Sequence, residues 1–215
     1  MPCDVVIRSL GQVPYVSTWE KMRTFTEQRT SETCDEIWCL SHPPVFTQGQ
    51  AGKPEHLINP GDIEVVQTDR GGQVTYHGPG QLVIYFLIDL KRRNQGIRAL
   101  VDTIEQGVIA MLKADHIAAH TIEKAPGVYV DQAKVCSLGL RVKRGCTYHG
   151  LALNVNMDLT PFSRINPCGY KDLNVCQTSD LGGAQTLEQA RDRLIAQLLP
   201  LFGYNHPQSS IEGTL

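Results

Sequence analysis

No apolar run in these 215 residues approaches membrane-spanning length, and the N-terminal stretch Met1-Pro2-Cys3-Asp4-Val5-Val6-Ile7-Arg8 lacks a basic segment followed by a long apolar one. Both absences lead us to expect a soluble, cytoplasmic protein with no membrane role. Nor is there an arginine- or lysine-rich block. The 20 basic and 22 acidic residues leave a formal charge of −2, which argues against a nucleic-acid partner. Paired Cys-x-x-Cys elements are missing as well, so neither Cys34, Cys39 and His42 nor Cys146 and His149 is completed as a zinc site, and no metal is expected. The seven cysteines are an odd set without a compact repeating framework and read as free thiols of a reducing compartment.

Several nucleotide and hydrolase signatures are also absent. There is no Gly-x-x-x-x-Gly-Lys-Ser/Thr and no Gly-x-Ser-x-Gly, which excludes a P-loop and lowers the case for an α/β serine hydrolase. Gly78-Pro79-Gly80-Gln81-Leu82-Val83 starts like a dinucleotide fingerprint, yet it lacks the third glycine and runs into strand-like sequence. No repeat, low-complexity tract or linker divides the chain, so residues 1–215 are expected to form one domain.

What is present reads as α/β in the α+β sense, a mixed or antiparallel sheet with packed helices. Val5 to Leu10 reads as a strand and Tyr15 to Gln28 as an amphipathic helix with Trp19, Met22 and Phe25 among its apolar positions. Glu36 to Leu40 and Val45 to Thr47 look like strand pieces interrupted by Ser41-His42-Pro43-Pro44. Gly49 to Gly61 is a loop, and Ile63 to Gln67 another strand. Ile97, Leu100, Ile104, Val108, Met111 and Leu112 recur at helical spacing and are expected to face the core. From Ala125 to Asn156 the pattern is of short β segments punctuated by Gly127, Gly139, Gly145 and Gly150. A last helix begins at a capping box, Thr186 with Gln189, presents Leu187, Ala190, Leu194 and Leu198, and is expected to end near Pro200.

Three segments carry candidate chemistry. In Arg70-Gly71-Gly72-Gln73-Val74-Thr75-Tyr76-His77-Gly78-Pro79-Gly80-Gln81 the glycines imply a tight turn that something approaches closely, either as a substrate cradle or as a hairpin beside a core strand. Cys168, between Pro167 and Gly169, sits where a fixed turn could present its sulfur, although a lone cysteine is more commonly a buried inert thiol. Lys134 lies among strand-forming apolar residues, where a lysine is costly unless functional or at an edge. In a regular strand Lys134 and Cys136 share a face, so spacing alone leaves Cys136 beside the site.

Arg70 to Gln81, Gly127-Val128-Tyr129-Val130 through Lys134 to Gly139, His149-Gly150-Leu151-Ala152-Leu153-Asn154 and Ile165-Asn166-Pro167-Cys168-Gly169 together resemble the lipoyl(octanoyl) transferase family, also called lipoate-protein ligase B. The resemblance has four motifs in order and spans most of the chain. It implies the catalytic-domain fold shared by biotin and lipoate protein ligases, with Cys168 as nucleophile, chosen over Cys136, and Lys134 as its activator. It further implies an acyl site lined by Arg70, Gly71, Gly72, Gln73, Val74, Thr75, Tyr76 and His77, by Ser137, Leu138 and Gly139, and by Gly150, Leu151 and Ala152. His149 and Asn166 are further site candidates, and no cofactor is implied. The implied donor is octanoyl-acyl carrier protein, and the implied acceptors are lipoyl domains of 2-oxoacid dehydrogenase and glycine cleavage complexes, served by a monomer. Acyl carrier proteins are acidic, which makes Lys91, Arg92, Arg93 and Arg98, with Lys143 and Arg144, candidate docking charges. Two other classes stay open: an ATP-dependent ligase of the same fold, which has no need of Cys168, and a non-catalytic acyl-binding module.

Overall fold

The computed structural model describes residues 5–167 and 173–210. It begins with β1 (Val5–Gln12), α1 (Tyr15–Gln28), β2 (Asp35–Ser41), β3 (Val45–Gln48), β4 (Val65–Gln67), β5 (Val74–His77) and β6 (Gln81–Leu87). There follow α2 (Ile97–Ala114), β7 (Ala119–Ile122), β8 (Ala125–Val130), β9 (Ala133–Lys143), β10 (Cys146–Asn154), α3 (Leu187–Phe202) and β11 (Pro207–Ser210). No helix among the described residues is long and apolar enough to cross a membrane.

Eight strands form one mixed sheet in the order β11-β1-β2-β6-β10-β9-β8-β7. β1 runs parallel to both β11 and β2, and the rest is antiparallel. The parallel β1–β2 pair needs a crossover, and α1 supplies it. β2 and β6 are buried along their whole length because both sheet faces are covered. Alternate residues divide between two cores: Ile37, Cys39, Leu82, Ile84 and Phe86 belong to the cluster that includes α2 and α3, while Trp38, Leu40, Val83, Tyr85 and Leu87 pack with Met22 of α1. On α2, Leu100, Ile104, Val108 and Leu112 are all 0 % exposed, each burial worth about 1.5–3 kcal/mol.

A second sheet, β4-β3-β5, has three strands. The two expected strand pieces are both present as β2 and β3, and the turn at His42 to Pro44 carries the chain out of the large sheet, so they lie in different sheets. The expected short segments after Ala125 are instead strands of 6, 11 and 9 residues, with Gly127, Gly139 and Gly150 inside them and only Gly145 in a turn. Gly150 is interior because a side chain there would meet Ile84 O at 2.0 Å on the neighbouring strand. The core face of α2 also differs at its start, where Ile97 is 39 % exposed. α3 opens as read, with the Thr186 hydroxyl accepting from Gln189 N–H at 3.3 Å. It passes through Pro200 and ends at Phe202, where Gly203 adopts φ 68°. Proline is tolerated there because only the last turn is affected.

Two of the proposed docking arginines, Arg92 and Arg93, brace part-buried groups. Asp35, 1 % exposed, accepts from Arg29 Nη2 (2.7 Å), Arg92 Nη2 (2.5 Å), Tyr204 OH (2.9 Å) and the Asp89 N–H (2.9 Å). Arg93 donates to Phe202 O and lies over the rings of Phe202 and Tyr204. Lys143 pairs with Glu27 at 2.5 Å, and Arg98 with Asp102 at 3.0 Å. Arg92→Glu is therefore expected to lower folding stability by at least about 2 kcal/mol, by withdrawing a partner from a buried carboxylate. A lower urea midpoint at constant slope checks this, and an unchanged midpoint with a raised Michaelis constant for a protein substrate would return Arg92 to a docking role.

Candidate active site

The site is built around a loop held from both sides. The Arg70 side chain, on a residue 8 % exposed, donates from Nε and Nη2 to Thr47 Oγ1 (3.1 and 2.9 Å), from Nη2 to Thr47 O (2.6 Å) and Gln73 O (2.7 Å), and from Nη1 to Gly71 O (2.9 Å). From outside, the N–H groups of Gly49, Gln50 and Ala51 donate to Gln73 O, Arg70 O and Gly72 O. The loop then seats on β9, where Gly71 N donates to Leu140 O at 3.0 Å. A side chain on Gly139 would stand 2.8 Å from Gly71 O, so what closely approaches these glycines is the protein's own backbone.

Behind the loop lies a cavity of about 430 Å³, within the range of small-molecule sites. Of the residues implied by the resemblance, Arg70, Gly71, Gly72, Gln73, Val74, Thr75 and His77 line it, as do Ser137, Leu138 and Gly139 of β9 and His149, Gly150, Leu151 and Ala152 of β10. Two are elsewhere. Tyr76 points to the opposite face of β5, where its ring packs on Phe46 (5.4 Å) and edge-on to Phe162 (5.6 Å), because alternate strand residues face opposite ways. Asn166 is tied outside the wall, its N–H donating to His56 O at 2.8 Å.

Lys134 also lines the cavity and is 2 % exposed. Its Nζ donates to Pro126 O at 3.0 Å and lies 5.1 Å from the Tyr129 ring centre. The expectation that Cys136 shares its face is overturned by a bulge. Val128 pairs with Cys136 but Tyr129 with Lys134, so Val135 is an extra residue that shifts the alternation. Cys136 consequently sits in the α2–α3 core, where burial pushes its thiol well above the ordinary value. Cys168 lies outside the described residues. The chain on its C-terminal side meets β9 at Lys134, whose N–H donates to Asn174 O (2.9 Å) and whose carbonyl accepts from Cys176 N (3.1 Å).

Burial keeps the histidines of the wall neutral. His77 is held well below the usual imidazole value by burial, with His42 and Arg70 adding to the effect. Its proton can be placed: Gln81 Nε2 donates to Tyr76 O (3.1 Å) and Asn154 Oδ1 (3.0 Å), leaving Gln81 Oε1 to accept from His77 Nδ1 at 2.8 Å. His149, at φ 60°, is likewise lowered by burial, against the opposing pull of Asp69, whose Oδ1 lies 3.0 Å from Nε2. Asp69 is the hub of this corner. It also accepts from Trp19 Nε1 (2.8 Å) and the Tyr148 hydroxyl. Burial pushes its carboxyl up, and the hydrogen bonds from His149, Tyr148 and Trp19 outweigh this to hold it well below the usual range.

Sequence reasoning missed Asp69, Tyr15, Tyr85 and the start of α2, where Ile97 and Val101 complete the wall. Asp69 adjoins the glycine motif and could have been singled out there. Ile97 and Val101 share a helix column four residues apart, a spacing legible only once the wall is known.

The sequence matches the family described as lipoyl protein ligase A/B catalytic domain over residues 14–199. It is 58 % identical over 202 residues to an octanoyltransferase of Marinobacter nauticus, covering 94 % of this chain and 95 % of that one. To an octanoyltransferase of Vibrio vulnificus it is 55 % identical over 212 residues, covering 99 % and 97 %. The fold is similar to a bi-partite lipoate protein ligase of Thermoplasma acidophilum, with TM-score 0.76, 14 % identity and 99 % and 88 % of the chains covered. It is also similar to a biotin protein ligase of Aquifex aeolicus, with TM-score 0.57, 13 % identity and 92 % and 70 % covered. The mixed α/β architecture is thus that of the lipoate and biotin ligase catalytic domains.

One consequence concerns acid stability. Because Asp69 is held low in the folded chain, its contribution is complete above the unfolded value near 3.9 and is lost as pH falls from there through the lower folded value. Asp69→Asn is expected to be less stable than wild type at pH 7 and to lose less further stability between about pH 4 and pH 2. Chemical denaturation across that range checks it, and parallel declines would remove Asp69 as an acid-sensitive centre.

Proposed function

The chain belongs to the lipoyl protein ligase A/B catalytic-domain family, and from that premise we propose that it is an octanoyltransferase acting in protein lipoylation. It moves an octanoyl group from acyl carrier protein to a lysine of lipoyl domains of 2-oxoacid dehydrogenase and glycine cleavage complexes, through a thioester on Cys168 and without ATP. Residues 1–215 act as one catalytic domain, as a cytoplasmic monomer. The observation that carries the reading is the cavity: apolar residues such as Val83, Val101, Leu138 and Leu151 form much of its wall, and the buried Lys134 lies on it. An aliphatic acyl chain suits those walls. A buried lysine is a proton acceptor or counter-charge for a thiol. Attachment of the chain after residue 172 to β9 at Lys134 supports pairing this lysine with Cys168.

In the first half-reaction Lys134 takes the Cys168 proton. The thiolate attacks the donor's thioester carbonyl, a new C–S bond forms, and the old one breaks to release the carrier thiol, which takes up a proton. Exchange of one thioester for another is close to energy-neutral, so no nucleotide is consumed. In the second, the acceptor lysine's amine attacks the acyl-enzyme, a C–N bond forms, the C–S bond breaks, and the proton lost by the amine passes to Lys134 and from it to the departing Cys168 sulfur. Donors for the oxyanion come from the backbone of the glycine-containing segments.

Intact-protein mass spectrometry after mixing with octanoyl-acyl carrier protein is expected to show one added octanoyl group, mapped to the peptide containing Cys168. Cys168→Ser should lose most turnover. Lys134→Ala should lose roughly 10²- to 10⁴-fold, and Lys134→Arg should keep part of the thiolate stabilisation but not the proton transfer. Acylation mapped to Cys136, or turnover that requires ATP, would sink the reading.

A further inference from the structure

α2 places Ile97, Val101 and Glu105 in one column, four residues apart. The first two line the cavity, and Glu105, a carboxylate only 6 % exposed, continues the column below them. Glu105 Oε1 accepts from Gly127 N–H at 2.9 Å. The carbonyl of that same peptide unit, Pro126 O, accepts from Lys134 Nζ at 3.0 Å. A single peptide plane therefore joins the carboxylate on one edge to the lysine on the other. A charged acceptor on its N–H polarises the group and strengthens the hold of its carbonyl.

Two features show that the lysine and this corner are fitted to each other. Gly127 has φ 135°, and a side chain there would stand 3.0 Å from Lys134 Cε, 3.2 Å from its Nζ and 2.6 Å from Cys136 O. The Val135 bulge, which turns Lys134 toward the cavity, lies in the same pair of strands. We propose that Glu105 is a positioning residue for Lys134, fixing the Pro126–Gly127 peptide that holds its amine and supplying the negative charge that stabilises the ammonium–thiolate pair formed when Lys134 takes the Cys168 proton. This rests on the role given to Lys134 above.

A neutral side chain could hold the Gly127 N–H equally well, and burying a carboxylate is costly unless its charge is used. Among the described residues, charged and titratable groups face the pair from β8, β9, α2 and the turn before β8. Tyr129 faces Lys134 from β8, Cys136 follows on its own strand, and Lys124 lines the cavity from the turn before β8. Arg98 and Asp102 act on Glu105 along α2. Burial pushes the Glu105 carboxyl up, while the Gly127 N–H, Arg98 and Lys134 pull it down.

The test uses the full-length enzyme with three substitutions. Glu105→Gln keeps an acceptor for Gly127 N–H but removes the charge. It is expected to slow acyl-enzyme formation at neutral pH by about tenfold or more and to lower the Lys134 titration midpoint, read by NMR of lysine-labelled enzyme, by about one pH unit, with an unchanged thermal midpoint. Glu105→Asp keeps the charge and is expected to leave the Lys134 midpoint near wild type, which a purely structural clamp would not predict. Wild-type acylation together with an unmoved Lys134 midpoint in Glu105→Gln overturns the proposal. Lys134→Ala separates the two readings: full acylation there defeats the role of Lys134 itself, whereas a dead Lys134→Ala beside a wild-type Glu105→Gln defeats only that of Glu105.

Discussion

The cavity depends on the direct seating of the 70–73 loop on the backbone of β9. The Gly71–Leu140 hydrogen bond at 3.0 Å and the bare approach of Gly139 to Gly71 O leave no room for a side chain between the two segments. Arg70 makes this seating rigid by spending its guanidinium on carbonyls and a hydroxyl of neighbouring segments. The cation is thereby part of the wall's frame as well as of its lining. Val74, Thr75 and His77 follow from it in order, because β5 begins where the loop ends.

Around that frame, protons are fixed by burial and by the hydrogen-bond inventory. His42 illustrates the pattern: its Nδ1 lies 2.6 Å from Val13 O, so that nitrogen carries the proton, and Nε2, 2.7 Å from the Tyr85 hydroxyl, accepts. Burial depresses its value to about 4, which keeps the ring neutral at physiological pH. His77 and Gln81 repeat the logic one strand over. Neutral rings such as His77 add defined donors and acceptors to the wall without adding charge to it. The anionic centre on this side, Asp69, is compensated by three donors.

The large sheet separates structure from chemistry by alternation. β2 and β6 feed two apolar cores, and the helices on either side satisfy both. Where the alternation would have placed Lys134 and Cys136 together, one extra residue breaks it. The same device gives Lys134 and Ser137, three residues apart, a common side on the cavity.

Much of this was legible in the order of residues. Apolar spacing located α1 to its terminal residues, Thr186 with Gln189 marked the start of α3, and the glycine-rich run from Arg70 marked a tight loop that lines the cavity, because these signals depend on neighbours within a turn or two. A buried lysine amid strand-formers pointed to Lys134 for the same local reason. What local pattern could not decide were quantities set by distant partners: that β2 and β3 part into separate sheets, that Tyr76 turns away from the cavity, that Val135 bulges, and that Arg92 and Arg93 brace buried groups. Glu105 is the clearest case. In sequence it is one acidic residue on a helix, and only the packing of α2 against the Pro126–Gly127 peptide brings its carboxylate to a lysine 29 positions away, since burial and hydrogen-bond partners belong to the folded arrangement and not to the chain.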